Sequence, residues 1–217
     1  MTGDKRFLDK AYKLSDDATP DEVRAFYDNW ADVYDAELVD EQQYVMPARA
    51  ADALAAHLDD KAACILDIGC GTGLSGKALC HHGFKNIDGC DLSPGMLAKA
   101  KGLDIYGRLF EADLTKPPLD AGNEAYDAVT VVGAFSFGHV PVSAMDDILR
   151  IVKDQGLFLI TTNDHYYDEG TIQPKLDQLV QDNIVSMRVA EHGGHIEGLN
   201  VGGWIFLMQK EPQTGSR

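Results

Sequence analysis

The stretch ILDIGCGTGLSG, from Ile65 to Gly76, decides the fold. Ile65 to Ile68 form a short apolar run of the kind that makes a buried strand. Gly69, Gly71 and Gly73 then permit a tight turn, and a helix begins near Leu74. A strand, a glycine turn and a helix in succession bring bare backbone and a helix N-terminus up to a ligand.

Outward from this unit the same alternation repeats. On its C-terminal side, strands are expected over Asn86 to Cys90, Tyr106 to Ala112, Tyr126 to Val132 and Gly156 to Thr162. Between them, Ser93-Pro94 starts one helix and Ser143 to Val152 form another, while Gly83 sits at a helix C-cap position. Strands alternating with helices make right-handed βαβ units and a parallel sheet. After a helix near Ile172 to Gln181 the pattern changes. Two strand-like runs, Ile184 to Glu191 and Trp204 to Gln209, flank the glycine-rich link HGGHIEGLNVGG, which indicates an antiparallel hairpin. The fold class is therefore α/β: a Rossmann-like, seven-stranded, mostly parallel sheet with an antiparallel C-terminal hairpin strand and helices on both faces.

On the N-terminal side, Met46 to Leu58 read as a helix. Thr19-Pro20-Asp21-Glu22 is a helix start, with Thr as N-cap and Pro at the first helical position. Val23, Phe26, Tyr27, Trp30, Val33 and Tyr34 follow at helical spacing. This aromatic stripe either packs on the domain or closes over a pocket as a lid. The expected organisation is an arm and helical lid over 1–45, one domain over 46–211, and a short tail over 212–217.

Nineteen basic against 35 acidic residues give a formal charge of −16. Such a potential repels phosphate backbones and anionic membranes, so a nucleic-acid partner is not expected. Cys64, Cys70, Cys80 and Cys90 show no CxxC spacing, and Cys64, Cys80 and Cys90 read as small core residues. The start MTGDKRFLDK lacks the apolar segment of a signal peptide, and no apolar run approaches membrane-spanning length. A cytoplasmic protein is the simplest expectation.

Gly71-Thr72-Gly73-Leu74-Ser75-Gly76 fits GxGxxG, with Asp91 some way on, which is the fingerprint of a dinucleotide site. Asp67 argues against that ligand. It stands two residues before the turn, where its carboxylate would repel a pyrophosphate. S-adenosylmethionine carries no phosphate and has an ammonium group for Asp67 to hold, directly or through water. Gly69, Cys70 and Gly71 would let the backbone approach the methionine part. Asp91 would accept both ribose hydroxyls, and Asp113 the adenine amino group. Leu92, Met96 and Leu114 would sandwich the ring. These positions fall at the carboxyl ends of adjacent strands, the ligand edge of an open α/β sheet.

The strings ILDIGCGTG, CDLSPGML, EADL and YDAVTVVGAF together resemble the class I S-adenosylmethionine-dependent methyltransferases over roughly residues 62–163. FYDNWADVYD looks like the aromatic lid of small-molecule members, and the chain is similar to the methyltransferase-like group named for the Williams–Beuren region. The resemblance implies that Tyr27 and Tyr34 lie near the methionine end of the cofactor, with Trp30 packing nearby. It implies methyl transfer to a small-molecule acceptor. A protein or peptide acceptor, or a non-catalytic cofactor-binding module, are the alternatives.

The loop after the fourth strand should line the acceptor pocket. Gly133 and Ala134 would border the cofactor, and Phe135 and Phe137 would give apolar walls or equally belong to the core. His139 is the leading base candidate there, and Tyr34 the candidate reaching down from the lid. Asn163 to Tyr167 could present polar groups from the same edge, and Arg49 could reach the cofactor carboxylate. His192, His195 and Glu197 have weak metal-ligand spacing, and no metal is expected.

Overall fold

The computed structural model describes residues 18–135 and 140–212. In chain order the strands are β1 (Cys64–Ile68), β2 (Asn86–Asp91), β3 (Leu109–Glu111), β4 (Tyr126–Phe135), β5 (Val152–Asn163), β6 (Val185–Ile196) and β7 (Val201–Lys210). They form one sheet in the order β3-β2-β1-β4-β5-β7-β6. β1 to β5 run parallel to one another, and β7 is antiparallel to both β5 and β6. The sequence connection turns from β1 toward β2 on one side, while β4 lies against the other side of β1. That reversal opens a crevice at the carboxyl ends of β1 and β4.

Alternation along β1 decides what each face of the sheet meets. Leu66 and Ile68 belong to the core cluster that also holds Met145 and Ile148 of α5 (Ala144–Ile151) and Leu176 of α7 (Ile172–Gln181). Ile65 faces the other way, with Met46 and Leu54 of α2 (Met46–Ala55) and Leu79 of α3 (Leu74–His81). Asp67 lies two residues from Ile65 and shares its side of the strand. The short α6 (Asp164–Asp168) follows β5, and its first turn is capped by the Asn163 side chain.

Helix signals read from the sequence hold in the structure. The Thr19 hydroxyl accepts the Glu22 N–H and the Glu22 carboxylate accepts the Thr19 N–H, the reciprocal cap that starts α1 (Pro20–Trp30). Ser93 caps α4 (Pro94–Lys101) by accepting the Met96 N–H. The aromatic stripe is shorter than expected: α1 stops at Trp30, a π-helical turn follows over Ala36–Glu41, and Val33 is left 40% exposed. Trp30, 2% exposed, packs with Phe26, Tyr27 and Tyr34, and its indole N–H donates to Glu37.

Three expectations are corrected. The link HGGHIEGLNVGG is mostly strand: β6 runs to Ile196, β7 begins at Val201, and only a short helical turn over Glu197–Leu199 and Asn200 joins them. Its glycines make room rather than a loop. A Cβ on Gly193 would run into the Arg49 guanidinium, and one on Gly203 into the Thr162 carbonyl. Arg49 therefore pairs with Glu191 and donates to the Gly194 carbonyl, away from the crevice. The strand expected from Tyr106 begins only at Leu109, because Tyr106 turns inward. Among the cysteines, all free, Cys64 is exposed and Cys80 half-buried, so only Cys90 of the three expected in the core is fully there.

The segment after α1 is clasped to the hairpin. Tyr44 bridges Ile196 as an isolated antiparallel pair, and the Val45 N–H donates to the His195 carbonyl. Among the described residues no helix is long and apolar enough to cross a membrane.

Candidate functional site

A cleft of about 900 Å³, counting the open solvent at its mouth, lies at the carboxyl ends of β1, β2, β3 and β4. Gly69 and Gly71 form its floor, with φ of +66° and +55° that a side chain would strain. Asp91, Leu92 and Met96 come from the β2–α4 junction, Asp113 and Leu114 from beyond β3, and Gly133 and Ala134 from β4. Val23, Tyr27 and Tyr34 form the roof, so α1 and the chain after it cover the site.

Asp91 is built into the turn as well as into the cleft. Its Oδ2 accepts the Gly71 N–H at 2.8 Å and its Oδ1 accepts the Ser93 N–H at 2.9 Å. Burial pushes its carboxyl above the ordinary range, against the pull of these backbone donors. Asp113 differs. Desolvation raises its carboxyl, but the Lys116 ammonium at 2.8 Å and the Thr115 hydroxyl at 2.6 Å outweigh that and hold it low. Tyr27 and Tyr34 are held firmly protonated, first by burial and then by neighbours that include Tyr44 and Asp91. The Tyr44 hydroxyl itself stands against Gly133, where no Cβ would fit.

Asp67 does not line the cleft. It is 0% exposed, and its carboxylate accepts hydroxyls from Ser75 at 2.7 Å, Tyr106 at 2.8 Å and Thr130 at 3.2 Å. Tyr106 reaches it because Gly76 and Gly89 leave no side chain in the way. Of the two expectations, that Asp67 holds a ligand's ammonium group directly or through water, the direct contact is corrected: facing α3 on the Ile65 side of β1, Asp67 ties that helix, β4 and the approach to β3 together behind the glycine turn. Burial raises its carboxyl to about 6 in spite of the three donors.

Two further expected contact residues also stand back from the cleft. Cys70 is 3% exposed inside the turn, and Trp30 is buried in the aromatic cluster behind Tyr27 and Tyr34. His139 and Phe137 lie outside the described residues, as do residues 1–17 of the arm and 213–217 of the tail. His192 pairs with Asp164 at 2.9 Å, while His195 is buried, its Nδ1 without a partner among the described residues and its imidazole pushed down to about 4 by desolvation. Among the described residues no group of three acidic, Cys or His side chains could hold a metal ion.

Several residues escaped the sequence reading. Val23, Ala112, Thr115, Val132 and Val140 also line the cleft. Asp28 accepts the Ser93 hydroxyl at 2.5 Å and the Gly95 N–H at 2.8 Å, and Asp35 accepts the Thr72 hydroxyl at 2.5 Å. Both carboxylates stand in the FYDNWADVYD string, but only their partners across the fold give them a task.

Comparison with known proteins agrees with this geometry. A family model described as a methyltransferase domain matches residues 66–160. Methyltransferase-like protein 27 of Homo sapiens is 39% identical over 162 residues, which is 72% of this chain and 65% of that protein. The 18S rRNA (guanine(1575)-N(7))-methyltransferase of Saccharomyces cerevisiae is 32% identical over 132 residues, 60% of this chain and 47% of that protein. The chain thus spans less than two thirds of the length of both relatives. Magnesium protoporphyrin IX methyltransferase of Synechocystis PCC 6803, solved with bound SAH, shares the fold with a TM-score of 0.65 at 15% identity, over 89% of this chain and 100% of that one.

Proposed function

We propose that the chain is a class I S-adenosylmethionine-dependent methyltransferase that transfers a methyl group to a small-molecule acceptor by in-line displacement, a reading supported by the match of residues 66–160 to a methyltransferase domain and by the 39% identity to methyltransferase-like protein 27. One observation carries the choice of cofactor. Among the described residues the cleft is lined by two carboxylates, Asp91 and Asp113, and by no lysine, arginine or histidine. Such a lining suits hydroxyl and amino donors and disfavours a pyrophosphate. The sequence expectation of S-adenosylmethionine over a dinucleotide thus rests on the cleft wall rather than on Asp67.

When bound, the cofactor supplies a methyl group on a sulfonium, already activated for displacement. The chain's own residues hold, orient and exclude water. Asp91, with two acceptor oxygens fixed by Gly71 and Ser93, would take the ribose hydroxyls. Asp113 would take the adenine amino group, and Leu92, Met96 and Leu114 would pack on the ring. Gly69 and Gly71 leave backbone bare beside the amino-acid part, and Gly133 and Ala134 close the far wall. Tyr27 and Tyr34 close the roof, where an aromatic face near a cation adds about 0.5–2 kcal/mol. Alignment and dehydration of this kind can supply on the order of 7–11 kcal/mol of the barrier. His139, after β4, would take the proton of an acceptor that must lose one. On this reading the arm and helical lid span residues 1–45 and the transfer domain 46–211.

A second acceptor class comes from the yeast relative, whose name places its action on 18S rRNA. The formal charge of −16 supports the small-molecule reading against it. The test is transfer of labelled methyl from S-adenosylmethionine to a panel of small amines, thiols, phenols and carboxylates, beside total RNA and a peptide mixture. Label in small molecules is expected. Label in RNA or peptide alone would overturn the acceptor class, and cofactor binding without transfer to any of them would favour a binding module.

A further inference from the structure

The two lid carboxylates reach the same loops that floor the cleft. Asp35, past the end of α1, accepts the Thr72 hydroxyl inside the glycine turn at 2.5 Å. Asp28, on α1, accepts both the Ser93 hydroxyl at 2.5 Å and the Gly95 N–H at 2.8 Å at the start of α4. Ser93 in turn donates its N–H to Asp91, and Asp91 accepts the Gly71 N–H. An unbroken line of hydrogen bonds therefore runs from the roof, through Ser93 and Asp91, to the floor. Gly95 must be a glycine for this approach, since a Cβ there would stand 2.9 Å from the Asp28 carboxylate. The partners are buried, Ser93 at 1% and Thr72 at 5% exposure, while Asp28 and Asp35 themselves are exposed. A bond with one end buried and the other in water can be released without opening the core.

We propose that Asp28 and Asp35 are positioning residues that latch the lid to the two cofactor loops, so that the roof and the floor of the cleft open together and cofactor exchange requires the latch to break. This rests on the cofactor reading above. Because Tyr27 and Tyr34 are carried on the latched segment, a filled cofactor site also presets the lid face that an acceptor meets. Cofactor first and acceptor second is then the order of binding.

The test is stopped-flow dissociation of S-adenosylhomocysteine from the full chain, comparing wild type, Asp35→Ala, Thr72→Val and the double variant. Each single change removes the same charge-assisted bond, so each is expected to speed dissociation by about tenfold. The double variant is expected to be no faster than either single, since only one bond is there to lose. Thr72→Val nearly conserves shape, so it keeps the test valid should Asp35→Ala fold poorly. In parallel, hydrogen exchange over residues 20–45 should slow when S-adenosylhomocysteine binds wild type, and should slow much less in Thr72→Val. Rates within twofold of wild type, additive effects in the double variant, or equal lid protection would overturn the latch alone. Absence of any S-adenosylhomocysteine binding to wild type would overturn the cofactor reading and the latch with it.

Discussion

Replacing Asp67 by Asn should stabilise the free protein near neutral pH and remove a defined part of its pH dependence. Asp67 is 0% exposed, and burial lifts its carboxyl from 3.8 to about 6 against three hydroxyl donors. Between those two values the folded chain holds a proton that the unfolded chain releases. The stability tied to that proton is full below the unfolded value of 3.8 and is lost as pH rises through about 6. The whole loss is about 3 kcal/mol, of which roughly 1.4 kcal/mol falls between about pH 5 and about pH 7.5. Asparagine keeps an acceptor oxygen, and the hydroxyls of Ser75, Tyr106 and Thr130 can rotate to accept its NH₂. It carries no charge to desolvate. Urea unfolding of wild type and Asp67→Asn at those two pH values isolates this group, because carboxylates not coupled to Asp67 cancel in the difference. The variant's advantage should grow by roughly 1.4 kcal/mol from the lower to the higher pH. An advantage that is the same at both values would refute the idea of a buried, titrating hub.

Three other outcomes follow from the same geometry. Asp91→Ala leaves the Gly71 and Ser93 N–H groups without their acceptor and takes two from the ribose, so S-adenosylhomocysteine affinity should fall on the order of 100-fold or more by calorimetry; an unchanged dissociation constant would remove Asp91 from the site. Trp30→Ala, at the buried centre of the lid's aromatic cluster, should cost about 3–5 kcal/mol in denaturant unfolding; a loss below about 1 kcal/mol would mean the lid folds independently of its tryptophan. His195→Leu addresses the opposite sign: desolvation lowers this imidazole from 6.5 to about 4, so wild-type stability is full above 6.5 and is lost as pH falls through about 4, and the variant should lack that component when unfolding is followed across the window.

Much of the scaffold was legible because it is written in local rules. The Thr19 and Ser93 caps, the turn at Gly69 to Gly73 and the apolar runs of β4 and β5 each depend on residues a few positions apart. The antiparallel finish also followed from two strand-like runs with no helix between them. The misreadings have long-range causes. Asp67 was expected at the ligand, yet its partners are 8, 39 and 63 residues away and turn it toward α3. Tyr106 reads as a strand residue until Gly76 and Gly89 are seen to leave it a berth. The hairpin glycines read as a loop because the Arg49 and Thr162 groups they accommodate arrive from α2 and β5. Asp28 and Asp35 have no local partner that would single them out beside the aromatic stripe, and Thr72 is 37 residues from the carboxylate it joins.

These misreadings share a consequence for the site. The geometry of the cofactor floor is local, but what holds that floor in place is not. The carboxylate nearest the glycine turn in sequence supports it from behind, and the one 20 residues from Gly71 faces the cleft. Charge placement on the wall, rather than the glycine spacing, separates a phosphate-free ligand from a dinucleotide.

The central claim is met most directly by calorimetric titration of the full chain with S-adenosylhomocysteine and, in parallel, with NAD under the same buffer. Saturable one-to-one binding of S-adenosylhomocysteine with no heat from NAD is expected. Binding of NAD with none of S-adenosylhomocysteine would contradict it.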